Sequence, residues 1–385
     1  MHNNALANAI CLIAVICAAY VIGIYPLLLA LWARIRPCPI QRKAYTPTVS
    51  FVVATYNGAS FLDGKLKSIF ALDYPRDLLE VIVVSDGSTD NTREIIERYS
   101  GRVKFIQLVH AGKATALNHG MSVATGEILV FTDVRQRLAP DSLRLLMENF
   151  ADPRVGVASG ELQIASDTIE ARLGVGAYWK YERWIRLNLS AIDSIFGATG
   201  AYYAVRRELA ISVPPNKLAD DMFLPLHAFL KGYRLIVDAR AKMYDYATDL
   251  ATEFSRKVRT LAGNYQILAS YPQLLGPKNR LLLHFISYKV GRLALPFLLA
   301  VAAIASVVAG GVCAELSALL QGAMWLAITI DVWTSAKSPV KRLTSPVTTF
   351  VVMMAATLFA ISVWFVPAQR LWRPTQISRQ REAIP

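Results

Sequence analysis

Cysteine is scarce in this 385-residue chain, four residues in all. Cys11, Cys17, Cys38 and Cys313 lie in or beside long apolar runs, so the charged middle of the chain has none. This excludes a disulfide framework and a cysteine zinc site, and it suits a reducing compartment. Charge is also scarce: 18% of residues are charged and 54% hydrophobic, too apolar for a wholly soluble protein. Acidic residues are the scarcest, 28 against 41 basic, leaving a net charge of +13. With apolar runs present, that excess reads as attraction to an anionic membrane leaflet and to phosphate-bearing ligands, not to nucleic acid. There is no internal repeat of roughly 20–50 residues and no low-complexity tract.

What is present begins with four uncharged runs: Asn3 to Ala33, Leu293 to Ala314, Leu316 to Ile330 and Leu343 to Gln369. A membrane-spanning helix needs roughly 20 apolar residues. The first, second and fourth runs meet that length, and the third does so with Asp331 at the interface. The first run has no basic segment before it and is too long for a signal peptide. Arg34, Arg36, Arg42 and Lys43 follow it, which places residue 34 onward in the cytosol. Lys289 and Arg292 precede the second run, Gly310-Gly311 offers a tight hairpin, and Lys337, Lys341 and Arg342 mark a cytosolic loop. Span parity then puts the tail outside, whereas Arg370, Arg373, Arg379 and Arg381 favour the inside. The chain divides accordingly into 1–45, an N-terminal span with its basic flank; 46–250, a soluble domain; 251–281, a basic amphipathic interface helix; 282–369, about three spans; and 370–385, a basic tail.

The soluble domain alternates strands and helices. Strands are expected at Val49 to Ala54, Val81 to Val84, Val103 to Val109 and Ile128 to Phe131, with helices between them. That alternation predicts a doubly wound, Rossmann-like α/β sheet. Farther on, strands are expected at Val155 to Leu162, Phe196 to Val205 and Tyr233 to Val237, and helices at Ala171 to Leu189 and Asp220 to Leu230. The stretch Val81 to Asp90 shows the logic most clearly. Four apolar residues make a strand buried on both faces, and Ser85-Asp86-Gly87-Ser88-Thr89-Asp90 turns it into a helix N-terminus. Taken alone, it could equally be an ordinary capped turn. Asp86, Lys113 and Asp133, however, fall at or just after successive strand ends, and the strands of a parallel sheet open on one crevice at their carboxyl ends. Two carboxylates to accept from base and ribose, and a lysine for phosphates, suit a nucleotide diphosphate.

Four stretches in this order resemble the family 2 glycosyltransferases: Val53-Ala54-Thr55-Tyr56-Asn57, Val84 to Asp90, Gly112 to Asn118, and Phe131-Thr132-Asp133. Gly197-Ala198-Thr199-Gly200 through Arg207, Asp220-Asp221-Met222 with Lys231 to Arg234, and Arg256 to Gln266 extend the resemblance to about residue 270. It implies a GT-A fold, a mixed Rossmann-like sheet in a cytosolic domain, joined to α-helical transmembrane segments. Asp86 would then contact the base, with Thr55 and Tyr56 lining its pocket, and Lys113 the diphosphate. Asp133 would open the DxD motif and hold Mg²⁺ or Mn²⁺. Asp221 would be the catalytic base, and Thr199, Gly200, Asp220, Arg256 and Arg259 would lie on the acceptor and diphosphate side.

Two departures stand out. The DxD motif reads Asp133-Val134-Arg135, and Arg135 is placed near the diphosphate as a substitute positive charge. The QxxRW motif falls on Arg256, Arg259 and Thr260, without its glutamine and tryptophan. The resemblance implies an inverting, multi-pass plasma-membrane enzyme that moves a sugar from a nucleotide-diphosphate sugar to a growing glycan or lipid-linked acceptor. Single addition to a polyprenyl phosphate or glycolipid is the alternative with the same chemistry. A catalytically silent sugar-nucleotide scaffold is the alternative of another class.

Overall fold

The computed structural model describes residues 2–165, 175–246, 250–335 and 338–371. The start of the helix expected at Ala171, Lys337 and the tail residues Arg373, Arg379 and Arg381 lie outside that set. The described residues fall into two compact units, one from 36–166 and 189–247, the other from 1–35, 167–188 and 248–376. Residues 175–188 therefore group with the apolar helices, although the charge pattern assigned them to the soluble domain.

The first unit is built on one eight-stranded mixed sheet. Its strands are β1 (Val49–Thr55), β2 (Leu79–Asp86), β3 (Lys104–Leu108), β4 (Ile128–Thr132), β5 (Arg137–Leu138), β6 (Val155–Ala165), β7 (Tyr202–Arg206) and β8 (Arg234–Tyr246), in the order β3-β2-β1-β4-β7-β6-β8-β5. The pairs β1–β2, β1–β4 and β2–β3 are parallel, while β7 runs antiparallel to β4 and β6. Val81, Ile82, Val83 and Val84 are all buried, as the uninterrupted apolar run requires for a strand covered on both faces. Burying each such side chain stabilises the fold by about 1.5–3 kcal/mol. On one face the helices Ala59–Phe70 and Ser142–Met147 add Leu62, Leu66, Ile69, Leu143 and Leu146 to the core.

Two strands differ most from their expected limits. β7 begins at Tyr202, not at Phe196, because residues 197–200 leave the strand direction to pack on the helix Asp220–Leu230. β8 continues nine residues past Val237. Asp238 and Arg240, which break the apolar pattern, form an ion pair at 2.7 Å, and Asn149 also donates to Asp238 at 2.8 Å.

The second unit contains four helices long and apolar enough to cross a membrane: Ala5–Ile35, Leu282–Ala309, Gly311–Trp333 and Lys341–Trp364. In the first, Ala7, Ala14, Ala18, Val21, Tyr25 and Leu29 are buried at helical spacing. That stripe packs on Leu282–Ala309, where Leu295, Ala302, Ala305 and Ala309 are buried. Small residues let two helix backbones approach closely in lipid. Asp331 lies two residues before the end of its helix and accepts from the hydroxyls of Thr344 (2.8 Å) and Ser345 (2.7 Å) on the next. A carboxylate at a helix end, bonded in this way, leaves the third run apolar along its centre.

One buried charge is at odds with this core. Lys65 of the helix Ala59–Phe70 is fully buried, and its ammonium donates to Thr132 Oγ1 at 2.8 Å. Burial pushes it down to about 7, against the pull of Asp133 and Asp245, and Arg137 adds to the push. Between pH 7 and its ordinary value the unfolded chain therefore holds the extra proton, so stability rises with pH across that window. Lys65→Met should remove the rise and should stabilise the protein more at about pH 7 than at about pH 10. Thermal unfolding of the detergent-solubilised protein at both pH values checks this.

Candidate active site

Because β2, β1 and β4 are adjacent and parallel, Asp86, Thr55 and Thr132 reach the same edge of the sheet. The loops beyond them are tied together by short polar side chains. Asn57 Oδ1 accepts from the Thr89 amide at 2.8 Å, the Asn57 amide donates to Ser88 Oγ at 3.0 Å, and the Ala59 amide donates to Asp90 Oδ2 at 2.9 Å. Partial burial would raise the Asp90 carboxyl, but bonds from Thr92 and from the Ala59 amide hold it below the usual range.

Asp86 is buried, and its carboxylate is taken up by the next loop. It accepts from the amides of Ala111 (2.8 Å) and Gly112 (2.9 Å), and His110 Nδ1 lies 2.9 Å from it. His110 in turn lies under Tyr56, ring centroids 4.4 Å apart. Asp86 thus fixes the segment that leads into the helix Lys113–Val123, and through His110 it supports Tyr56. Gly87 makes this approach possible: its φ is +71°, and a Cβ there would meet the His110 backbone nitrogen at 2.7 Å. The Thr55 hydroxyl is buried beside Gly58 and has no partner.

The first residue of that helix gathers the charges. Lys113 Nζ lies 3.0 Å from Asp133 Oδ1 and 3.4 Å from Asp220 Oδ1. Burial would lower this ammonium, but Asp133 and Asp220, with Asp221 beyond them, hold it well above its ordinary value, so Lys113 stays charged. Asp220 and Asp221 open the helix Asp220–Leu230, where the helix dipole favours negative charge. The backbone oxygen of Asp221 accepts from Ala198 at 2.7 Å, and the Thr199 amide donates to Ser159 Oγ at 2.8 Å. A Cβ at Gly200 would lie 2.7 Å from Asp221 Oδ2, so a larger residue there would push that carboxylate aside.

Arg135 turns away from this cluster. Its guanidinium donates to Asp245 of β8, which also accepts from Gln136 Nε2 at 2.8 Å, and the side chain is 11% exposed. The charge placed near the diphosphate by sequence is therefore already compensated by a carboxylate 110 residues away. Arg256 and Arg259 belong to the other unit, on the helix Leu250–Ser270. There Arg256 pairs with Glu253 at 3.2 Å, and Lys257 lies over the rings of Tyr178 and Trp179 at 4.5 and 4.4 Å.

Among the described residues no three histidine, cysteine or carboxylate side chains form a ready-made metal site. Mg²⁺ commonly takes one or two protein carboxylates and completes its shell with substrate phosphates and water. Asp133, 41% exposed at its side chain and already facing a cation, fits that arrangement.

Residues 50–213 match the family model described as Glycosyl transferase family 2. The chain carries a family 2 glycosyltransferase domain. Poly-beta-1,6-N-acetyl-D-glucosamine synthases are among its curated relatives, from Staphylococcus aureus (strain COL) at 24% identity and from Staphylococcus epidermidis at 25%. The match covers 57% of this chain and 55% of each synthase, so the chain spans about half the length of those relatives. Among solved structures, the mannosyltransferase PcManGT from Pyrobaculum calidifontis, in complex with GDP-Man and Mn²⁺, is 26% identical with a TM-score of 0.70. That likeness covers 91% of this chain and 99% of the other. The mixed sheet of the family 2 domain is of the GT-A type.

Four residues around these charged groups had no signal in the sequence. Lys65 and Tyr203 sit at positions that read as core, and Asp245 lies far from its partner Arg135. His110 reads as part of a turn. For Asp86, the amide bonds give a direct test. Asp86→Ala should cost about 1–3 kcal/mol, since it leaves two amides without their acceptor. Hydrogen exchange should show protection lost at Ala111 and Gly112, and denaturant unfolding gives the magnitude.

Proposed function

We propose that this protein is an inverting glycosyltransferase. It moves one sugar from a nucleotide-diphosphate sugar to a hydroxyl of a growing glycan or lipid-linked acceptor at a membrane. The observation that carries this reading is the convergence of Asp133, Asp220 and Asp221 on Lys113 at the carboxyl edge of the parallel strands.

The roles follow from the chemistry of each group. Lys113 meets the diphosphate as a fixed ammonium and stabilises the charge that grows on it as the bond to the sugar breaks. Tyr56, supported by His110, and Thr55, with its unpaired hydroxyl, line the pocket for the base, and Asp86 holds their loop. Asp221 takes the proton of the acceptor hydroxyl while that oxygen bonds to the anomeric carbon and the diphosphate leaves from the opposite face. Gly200 keeps the carboxylate in line. Asp133 would hold a divalent cation, which adds Lewis-acid stabilisation of the leaving phosphates when bound. Arg135, bonded to Asp245, anchors the segment after Asp133.

The four apolar helices serve as membrane spans in this reading, making the protein multi-pass. Arg34, Arg36, Arg42 and Lys43 after the first span put the catalytic domain on the cytosolic side. Lys257 and its aromatic partners, with Arg256 and Arg259, suit an interface helix in contact with lipid. The same chemistry serves a single addition and the growth of a chain. The size of the product made from labelled donor separates the two outcomes.

Incubating the purified protein with a panel of nucleotide sugars, GDP-mannose and UDP-N-acetylglucosamine included, tests the reading. Asp221→Asn should cut turnover about 10²–10⁴-fold while leaving donor binding intact. Turnover that survives the change would remove Asp221 from the role of base. Turnover absent from the unaltered protein with every donor would favour a sugar-nucleotide scaffold.

A further inference from the structure

Two buried polar atoms near Lys113 have no hydrogen-bond partner, the Tyr203 hydroxyl and Asp220 Oδ2. Tyr203 is fully buried and Asp220 is 8% exposed. Their needs are opposite. An ionised carboxylate oxygen can only accept, while a phenol has a proton to donate. Burial first, and then Asp220, Asp221 and Asp133, hold the phenol well above its ordinary value, so that proton stays in place.

The register shows where the phenol faces. Tyr203 of β7 is paired with Phe131 of β4, and the rings stack at 4.9 Å. Residues opposed across an antiparallel pair share a face, and successive residues alternate. Tyr203 therefore shares the face of Phe131, one residue before the end of β4 and two before Asp133. Its neighbour Tyr202, paired with Thr132, takes the opposite face, where its hydroxyl lies 3.5 Å from Ser142 Oγ. The three carboxylates that act on the Tyr203 phenol are those placed above at the two ends of the reaction. Asp133 is on the leaving diphosphate side, and Asp221 takes the acceptor proton. The sugar under attack must lie between a leaving group and a base.

A ligand that satisfies both orphaned atoms must accept from one and donate to the other. A phosphate oxygen can accept from the phenol but has no proton for Asp220, and an ammonium has the reverse fault. A hydroxyl does both. We propose that Tyr203 and Asp220 form a subsite that reads one ring hydroxyl of the transferred sugar, the phenol donating to its oxygen and Asp220 Oδ2 accepting its proton. This rests on the glycosyltransferase reading and deepens it. Tyr203 becomes a specificity residue, because a site built to bond a hydroxyl discriminates strongly against a substrate that lacks it.

Tyr203→Phe tests this, since it removes one oxygen that has no partner in the free protein. The unfolding midpoint should stay the same or rise, because no bond is lost and a buried unpaired hydroxyl disappears. With the donor that the unaltered protein turns over, GDP-mannose or UDP-N-acetylglucosamine, kcat/KM should fall about 10–100-fold, the loss of one bond made to substrate. Among monodeoxy analogues of that donor, one should be poor for the unaltered protein and no poorer than the parent for the variant. A variant with kcat/KM within about twofold of the original would overturn the proposal and leave Tyr203 a core residue. So would a midpoint that falls together with activity, which would mark a structural role. An unaltered protein that turns over no donor of the nucleotide-sugar panel would defeat the glycosyltransferase reading and the subsite with it.

Discussion

A single ammonium holds together carboxylates from two distant parts of the chain. Asp133 ends one strand and Asp220 opens a helix 87 positions later, and both lie within 3.4 Å of Lys113 Nζ. Three acidic groups brought this close, with Asp221 among them, would repel one another without a cation between them. Lys113 offsets that repulsion, and the sheet places it there: the parallel strands β2, β1 and β4 end on one edge, and the helix that starts at Lys113 leads back from that edge. The supporting bonds have the same end. Asp86 fixes residues 110–112, and so fixes where Lys113 begins.

What sequence reveals about this molecule follows from how local the cause is. Val81 to Val84 is legible because burial on both faces demands an unbroken apolar run, and Asp86 follows because a strand that ends in a polar turn shows its boundary. The helix Asp220–Leu230 is legible to the residue, with two carboxylates at its start and Gly232 beyond its end. The extent of β8 is not, since Asp238 looks like a solvent-facing charge until it is seen to be buried and bonded by Arg240 and Asn149. Nor is Tyr203, because an aromatic residue in a strand looks the same whether its hydroxyl is idle or aimed at a site. The partners that distinguish such cases come from elsewhere in the chain.

Arg135 shows how a substitution inside a motif can be misjudged from the motif alone. An arginine in place of a carboxylate looks like a charge offered to the diphosphate. Its guanidinium instead bonds Asp245, while Lys65 and Arg137 lie close by in the same buried region. With these cations behind the edge, Asp245 serves as their counter-charge. What the pair adds is rigidity. It ties the segment that carries Asp133 to the far side of the sheet, and the carboxylate proposed to hold a cation gains from being held still.

Several groups that fit the core poorly lie along this edge or behind it. Lys65 is a lysine in an apolar interior, and the Thr55 hydroxyl, Arg135 Nε, the Tyr203 hydroxyl and Asp220 Oδ2 are buried without partners. Each unpaired group costs about 1–3 kcal/mol, so together they offset a sizeable part of what a domain of this size nets on folding. Apolar side chains would relieve that cost, and elsewhere the same sheet uses them. Donors and acceptors left unsatisfied where the parallel strands end cost stability that a polar ligand bound there can return.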